Sequence, residues 1–199
     1  MRAIIVAALV AVMGLAAGSI QAQAVEVANV KYEPSFDLAG QKLVLNGAGI
    51  RYKFVIKVYT AGLYLAHKAG TTQEVLAAPG AKRLHIQMLR DIDGNELGKL
   101  FTKGMEANAP REEFVKSING VLKLSEIFAS RKQLNSGENF SVDYVPGIGS
   151  LVLLNGKTIG EPIKEPEFFS ALLRIWLGDK PADDGLKEAL LGGKRERRR

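Results

Sequence analysis

Asn46-Gly47-Ala48-Gly49-Ile50-Arg51, running on through Tyr52-Lys53-Phe54-Val55-Ile56-Lys57-Val58-Tyr59-Thr60-Ala61-Gly62-Leu63-Tyr64-Leu65, is the most informative stretch of this 199-residue chain. From Tyr52 to Leu65 it is rich in Val, Ile, Tyr and Phe, and its even and odd positions are both largely apolar. A strand with one wet face alternates; this one does not. It reads as a strand buried on both faces, or as a strand pair in the middle of a sheet. Ahead of it, Gly47 and Gly49 form a turn and mark a tight backbone approach between strands. Arg51 opens the apolar region directly after them.

Upstream, Val25-Glu-Val-Ala-Asn-Val-Lys31 alternates as one strand. Leu38 to Leu45 reads as a turn and a second strand that ends at Asn46-Gly47. Downstream, Thr71–Leu76 opens a short helix, and 83–92 alternates as a strand. Asp93 with Glu96 three residues on has capping-box spacing. Leu97, Leu100, Phe101 and Met105 then mark one face of a helix over about 94–107. Pro110 sits at the start of the next helix, whose apolar side runs from Phe114 to Phe128; Gly120 weakens its middle. Residues 139–145 alternate again. Residues 149–154, Asn155-Gly156 and 157–159 spell a hairpin with a type I′ turn. Glu165-Pro166-Glu167 begins a helix with Phe168, Phe169, Leu172, Leu173 and Trp176 inward and Gly178 at its end. A last helix covers about 183–191. Strands, helices, a hairpin and helices in that order predict an α+β domain, with helices packed on one side of an antiparallel sheet.

The two ends read differently from the body. Met1-Arg2, an uncharged run from Ala3 to Ala17, and the A-x-A site Ala22-Gln23-Ala24 have the order of a secretory signal peptide, residues 1–24, cleaved after Ala24. The run is too short for the roughly 20 residues that span a bilayer. A periplasmic location is therefore expected, with no transmembrane segment after cleavage. The formal net charge of +6 belongs mostly to the ends: Arg2, and a basic tail over 194–199. The body, one domain over 25–193, is near neutral. It has no basic stripe with aromatic platforms, so no nucleic acid partner is expected. Cysteine is absent; a chain of this length buries a full core without disulfides. Composition assigns no oligomeric state.

Standard site patterns are missing. His67 and His85 lie far apart in sequence with no ligand spacing around them, so no metal site is expected. There is no Gly-x-Ser-x-Gly elbow. Gly47-x-Gly49 lacks the third glycine and following helix of a dinucleotide loop, so no cofactor is expected. Two placements are open for Arg51: a strand end in water, or a sheet-based pocket where its planar fork would take a carboxylate. In the second placement Tyr59 would add one hydroxyl donor.

The stretch from Asn46 to Arg51, and then Val55-Ile56-Lys57-Val58-Tyr59-Thr60-Ala61-Gly62-Leu63-Tyr64-Leu65, resembles the chalcone isomerase family. There a Gly-Gly-Ala-Gly-x-Arg element precedes an apolar strand of similar pattern. The resemblance extends over about Val25–Leu191 and is closest to exported bacterial chalcone isomerase-like proteins. It implies an open-faced β-sandwich, a large antiparallel sheet covered on one side by helices, with a cleft between the two layers. In the family's enzymes an arginine holds the attacking phenolate during ring closure. In its non-catalytic members arginine and tyrosine hold a fatty-acid carboxylate.

Residue by residue, the resemblance places the family arginine at Arg51. The enzymes' strand threonine falls on Tyr59, as in the fatty-acid-binding branch. If Glu96 matches the glutamate of the enzymes' catalytic helix, their tyrosine becomes Leu97 and their asparagine Gly104. Asn95 and Asn108 are the residues available to stand in. Losing both polar groups removes the network that general acid–base work needs. The leading expectation is a non-catalytic binder of a small, apolar, fatty-acid-like carboxylate, held by Arg51 and Tyr59. The alternatives are an intramolecular lyase or isomerase of unknown substrate, and an envelope protein–protein module.

Overall fold

The computed structural model describes residues 23–193. Most of the expected signal peptide and all of the basic tail lie outside that range. The chain runs β1 (Val25–Val27), β2 (Val30–Tyr32), β3 (Ser35–Leu38), β4 (Gln41–Lys53), β5 (Ile56–Leu65), α1 (Thr72–Ala77), β6 (Lys82–Met88), β7 (Ile92–Asp93), α2 (Gly94–Asn108), α3 (Arg111–Lys116), α4 (Ile118–Ala129), β8 (Gln133–Leu134), β9 (Asn139–Val145), β10 (Gly149–Leu154), β11 (Lys157–Ile163), α5 (Pro166–Leu177) and α6 (Asp184–Leu190).

Seven strands form one sheet in the order β11-β10-β9-β6-β5-β4-β3. Every pairing in it is antiparallel. One face carries Ala61, Leu63, Leu84, Ile86, Phe140, Val142 and Val152, packed with Leu97, Phe101, Phe128, Phe168, Leu172 and Trp176 of the helices. This is the α+β architecture expected, with helices on one side.

The other face explains why β5 does not alternate. Gly62 and Tyr64 of β5 meet a smaller apolar cluster built on Tyr32, Leu43 and Leu45. The β1–β2 hairpin lays Tyr32 there, with its hydroxyl donating to Thr60 Oγ1 at 2.8 Å. A buried polar row lies beside it. Arg83 donates to Asp143 at 3.3 Å and to Ser141 Oγ at 2.9 Å, and His85 Nδ1 shares that hydroxyl at 2.8 Å. The guanidinium also sits 3.8 Å over the Phe36 ring.

Four expectations need correction. Residues 25–31 are not one strand but a hairpin, because Ala28 and Asn29 both take positive φ (51° and 64°), the geometry of a tight I′ turn. Asn46-Gly47 does not end a strand, and Gly47-Ala48-Gly49 is not a turn: β4 runs through them with a register shift between Leu45 and Gly47. Asn46 is spent on tertiary bonds, donating to Ala69 O and Leu190 O and accepting from Ala69 N. Residues 83–92 are not one strand: β6 ends at Met88, and Ile92 begins the separate β7. The helix from Pro110 breaks in two at Ser117, whose hydroxyl donates to Glu113 O at 2.7 Å. Of the two readings of Tyr52–Leu65, the strand pair is the one observed. Phe54 and Val55 form a two-residue turn between β4 and β5, with Phe54 at φ 58°. The Asn155-Gly156 turn has positive φ at both residues, as expected.

Candidate functional site

Arg51 and Tyr59 face each other across the β4–β5 ladder, on the helix side of the sheet. The register shift that follows Arg51 lies between them and the turn. The two glycines ahead of Arg51 have a definite task. A Cβ on Gly47 would lie 1.9 Å from the backbone oxygen of Ala189, and one on Gly49 would lie 2.7 Å from the Ala189 Cβ. The close approach is therefore between strand β4 and helix α6, not between strands. It buries Leu186 and Leu190 in the main core. Asp183 caps α6 by accepting from Leu186 N at 2.8 Å, and its other oxygen takes Tyr52 N at 2.8 Å. Helix and arginine-bearing strand are thus clamped together on both sides of Arg51.

The arginine stands beside a cavity of about 210 Å³. Its walls are β4 and β5, α2 (Leu97, Phe101, Gly104) and the end of α5 with the segment after it (Ile175, Ala182). Leu100 and Lys103 are exposed at its rim. The lining is mostly apolar. Its charged members are Arg51, Lys103 and Lys180, with no carboxylate among them. The Arg51 guanidinium lies 5.6 Å from the centre of the Tyr59 ring. Among the described residues no carboxylate or carbonyl accepts a hydrogen bond from it. Arg51 is half-buried, so its five donors are open to solvent or to a ligand in the cavity.

Tyr59 is buried, and its hydroxyl accepts from Trp176 Nε1 at 2.7 Å. Accepting there leaves its own proton free to donate. Burial pushes its pKa up to about 12, against the opposing pull of Arg51 and the Trp176 bond, so the group stays a neutral donor. Both residues line the same cavity.

The two α2 positions matched to the enzymes' tyrosine and asparagine, Leu97 and Gly104, both line this cavity. Neither offers a proton or a hydrogen bond from its side chain. Asn108 lines it too, but its amide is committed: it donates to Gly104 O and Lys180 O, each at 2.9 Å, and accepts from Lys180 N at 2.7 Å. Asn95 lies elsewhere, in a groove between α2 and α4. Neither asparagine replaces the missing groups. No group of three or more metal-ligating side chains occurs among the described residues.

Sequence reasoning missed Trp176, Lys103 and Lys180. Trp176 read only as part of a buried helical face, and periodicity does not show that its indole N–H has a partner. Lys103 and Lys180 reach the cavity through the packing of α2 and of the segment after α5, for which no local signal exists.

A family model described as chalcone isomerase-like matches residues 24–192. The chain belongs to the chalcone isomerase-like family. No curated protein matches it. A solved structure of similar shape is a fatty-acid binding protein of Arabidopsis thaliana, at TM-score 0.64 and 13% identity, with 85% of this chain and 96% of that one covered. At that identity the likeness concerns the fold.

Proposed function

We propose that this protein binds a small apolar carboxylate of fatty-acid type, without turning it over, in the cavity between sheet and helices. The observation that carries the reading is Arg51: a guanidinium with no hydrogen-bond acceptor among the described residues, beside a neutral tyrosine donor, on a mostly apolar cavity whose charged lining residues are all cations. A carboxylate in the cavity would accept from that guanidinium, and a bidentate bond to arginine is the geometry that such a fork favours. The apolar remainder of the ligand lies against Leu97, Phe101 and Ile175. The cavity is smaller than the roughly 300–1,000 Å³ of typical drug-sized sites. A short acid fits inside it; a long chain must run out past Leu100 and Lys103. The fatty-acid binding protein of similar fold supports the same ligand class. An intramolecular lyase needs a positioned proton relay, which Leu97 and Gly104 do not provide. The N-terminal pattern, with its A-x-A site at Ala22–Ala24, supports binding outside the cytoplasm, in the periplasm.

The test is native mass spectrometry of the protein purified from its own host, beside Arg51→Ala, followed by titration of both with acids from octanoic to palmitic. An acid adduct on the wild type that is lost from the variant is the expected result. Equal retention by both, or no binding of any acid in the series, overturns the reading.

A further inference from the structure

The turn between β4 and β5 conflicts with ordinary folding economy. Phe54 is 92% exposed, Val55 90% and Ile56 46%. Phe54 and Val55 stand almost wholly in water and contribute nothing to the core, and Ile56 is about half exposed. Phe54 also holds φ 58°, a backbone region where glycine or asparagine is at ease and a bulky residue is strained. A glycine or asparagine at this position would be more soluble and less strained. Folding alone therefore gives no reason for an apolar tip here.

Its surroundings supply one. Lys53 and Lys57 flank the tip and are exposed. Arg51, Lys53 and Arg90 line a depression behind it. Asp91, Asp93 and Glu96, all exposed, line the same depression and balance its three cations, although Asp91 and Asp93 also accept from the backbone N–H groups of Ser136 and Glu96. The charges that directly flank the apolar residues, Lys53 and Lys57, are both basic. An apolar wedge between lysines is the pattern of an interfacial anchor: the wedge enters the acyl boundary while the lysine stems lie along it and their ammonium groups stay at the headgroups.

We propose that the Phe54–Ile56 tip docks this protein on an anionic phospholipid bilayer. Arg51 pairs with Tyr59 only a few residues from the tip, so docking would set the cavity's arginine close to the lipid surface. The docking proposal itself stands on the exposed, strained and lysine-flanked tip, whether or not the cavity holds an acid.

The test uses the full chain, expressed whole and purified as the cell leaves it, with Phe54→Trp as a local probe. It is mixed with vesicles of phosphatidylethanolamine and phosphatidylglycerol whose acyl chains carry bromine, and in parallel with brominated phosphatidylcholine alone. The wild type, whose single tryptophan Trp176 is buried, is the blank. On anionic vesicles the extra emission should shift to the blue and be quenched. Lys53→Glu with Lys57→Glu should weaken partitioning by more than tenfold, since each basic residue near such a surface is worth about fivefold. Phe54→Asn should lose binding at the tip while unfolding no more easily than wild type. A probe that stays unquenched on anionic vesicles overturns the proposal. So does equal quenching on phosphatidylcholine, which removes the role of the lysines. A blue shift in the absence of vesicles with no quenching on them also overturns it, and places another protein surface against the tip.

Discussion

Substituting alanine at Gly47 and at Gly49 should give two different answers, and the difference tests how β4 and α6 meet. At Gly47 the new methyl would lie 1.9 Å from Ala189 O, 1.5 Å short of the 3.4 Å at which ordinary contact begins. The obstacle is helix backbone and cannot rotate away. Helix α6 must retreat as a body, loosening Leu186 and Leu190, both fully buried. A gap of 0.5–1 Å already forfeits about a quarter to a half of a contact's attraction, and each buried leucine is worth about 1.5–3 kcal/mol. Together with strain of about 1–3 kcal/mol from overpacking, Gly47→Ala should cost about 2–6 kcal/mol. That corresponds to a fall in Tm of about 4–24 °C for a domain of this size. At Gly49 the nearest atom is the Ala189 Cβ, at 2.7 Å, followed by the end of the Leu186 side chain. Here the clash is removable. Ala189→Gly alone costs about 1 kcal/mol as a glycine in a helix, but on that background Gly49→Ala should cost at least about 1 kcal/mol less than it does in the wild type. Gly47→Ala should show no such relief. Thermal and denaturant unfolding of the four proteins in each cycle gives these coupling energies. If Gly47→Ala changes stability by less than about 0.5 kcal/mol, or Ala189→Gly rescues both substitutions alike, the close approach is not what these glycines serve.

Trp176→Phe removes the donor to the buried Tyr59 hydroxyl and should cost about 1–3 kcal/mol in unfolding experiments. Tyr59→Phe should restore part of that loss in the double variant. Arg51→Lys keeps the charge and loses the fork; acid affinity measured by calorimetry should fall between wild type and Arg51→Ala, with unfolding unchanged within about 0.5 kcal/mol. On the outer face, burial holds His85 down at about 4, below its ordinary 6.5. Its contribution to stability is therefore full above pH 6.5 and is lost as pH falls toward 4. Burial lifts Asp143 to about 6, above its ordinary 3.8, despite the pull of Arg83; its contribution grows as pH falls from 6 toward 4. The two slopes oppose each other across pH 4–6. Asp143→Asn should leave the His85 slope alone, so that stability falls between pH 6.5 and 4 by up to about 3 kcal/mol more than in wild type. His85→Gln should tilt the profile the other way, and urea titrations across that range measure both.

Much of the fold was legible because β-strand periodicity and turn chemistry act locally. Asn155-Gly156 announced a type I′ turn and formed one, Thr71 opened the short helix α1, and Asp93 capped α2 by accepting from Glu96 N. The errors came where a tertiary partner overrode a local signal. Asn46-Gly47 has the chemistry of a turn, yet the Asn46 side chain bonds to Ala69 and Leu190, and Gly47 receives a helix. Val25–Lys31 looked like one strand because the alternation continues across a turn whose positive φ falls on alanine and asparagine. Arg51 was legible as a candidate, but its placement was not, since the choice between water and cavity depends on how α2 and α5 cover the sheet. The Phe54–Val55 turn was hidden for a different reason: it has no glycine, proline or asparagine, and its composition is that of a buried strand.

The hydrogen bond between Trp176 and Tyr59 has a practical consequence. Trp176 is the only tryptophan in the chain, it is shielded from water, and it touches the cavity through two lining rings, Tyr59 by that bond and Phe101 edge-on at 5.4 Å. Anything that takes the Tyr59 proton or displaces Phe101 alters the electronic surroundings of this one indole. The unmodified protein thus carries its own optical gauge, and its ultraviolet emission can count occupied cavities without a label.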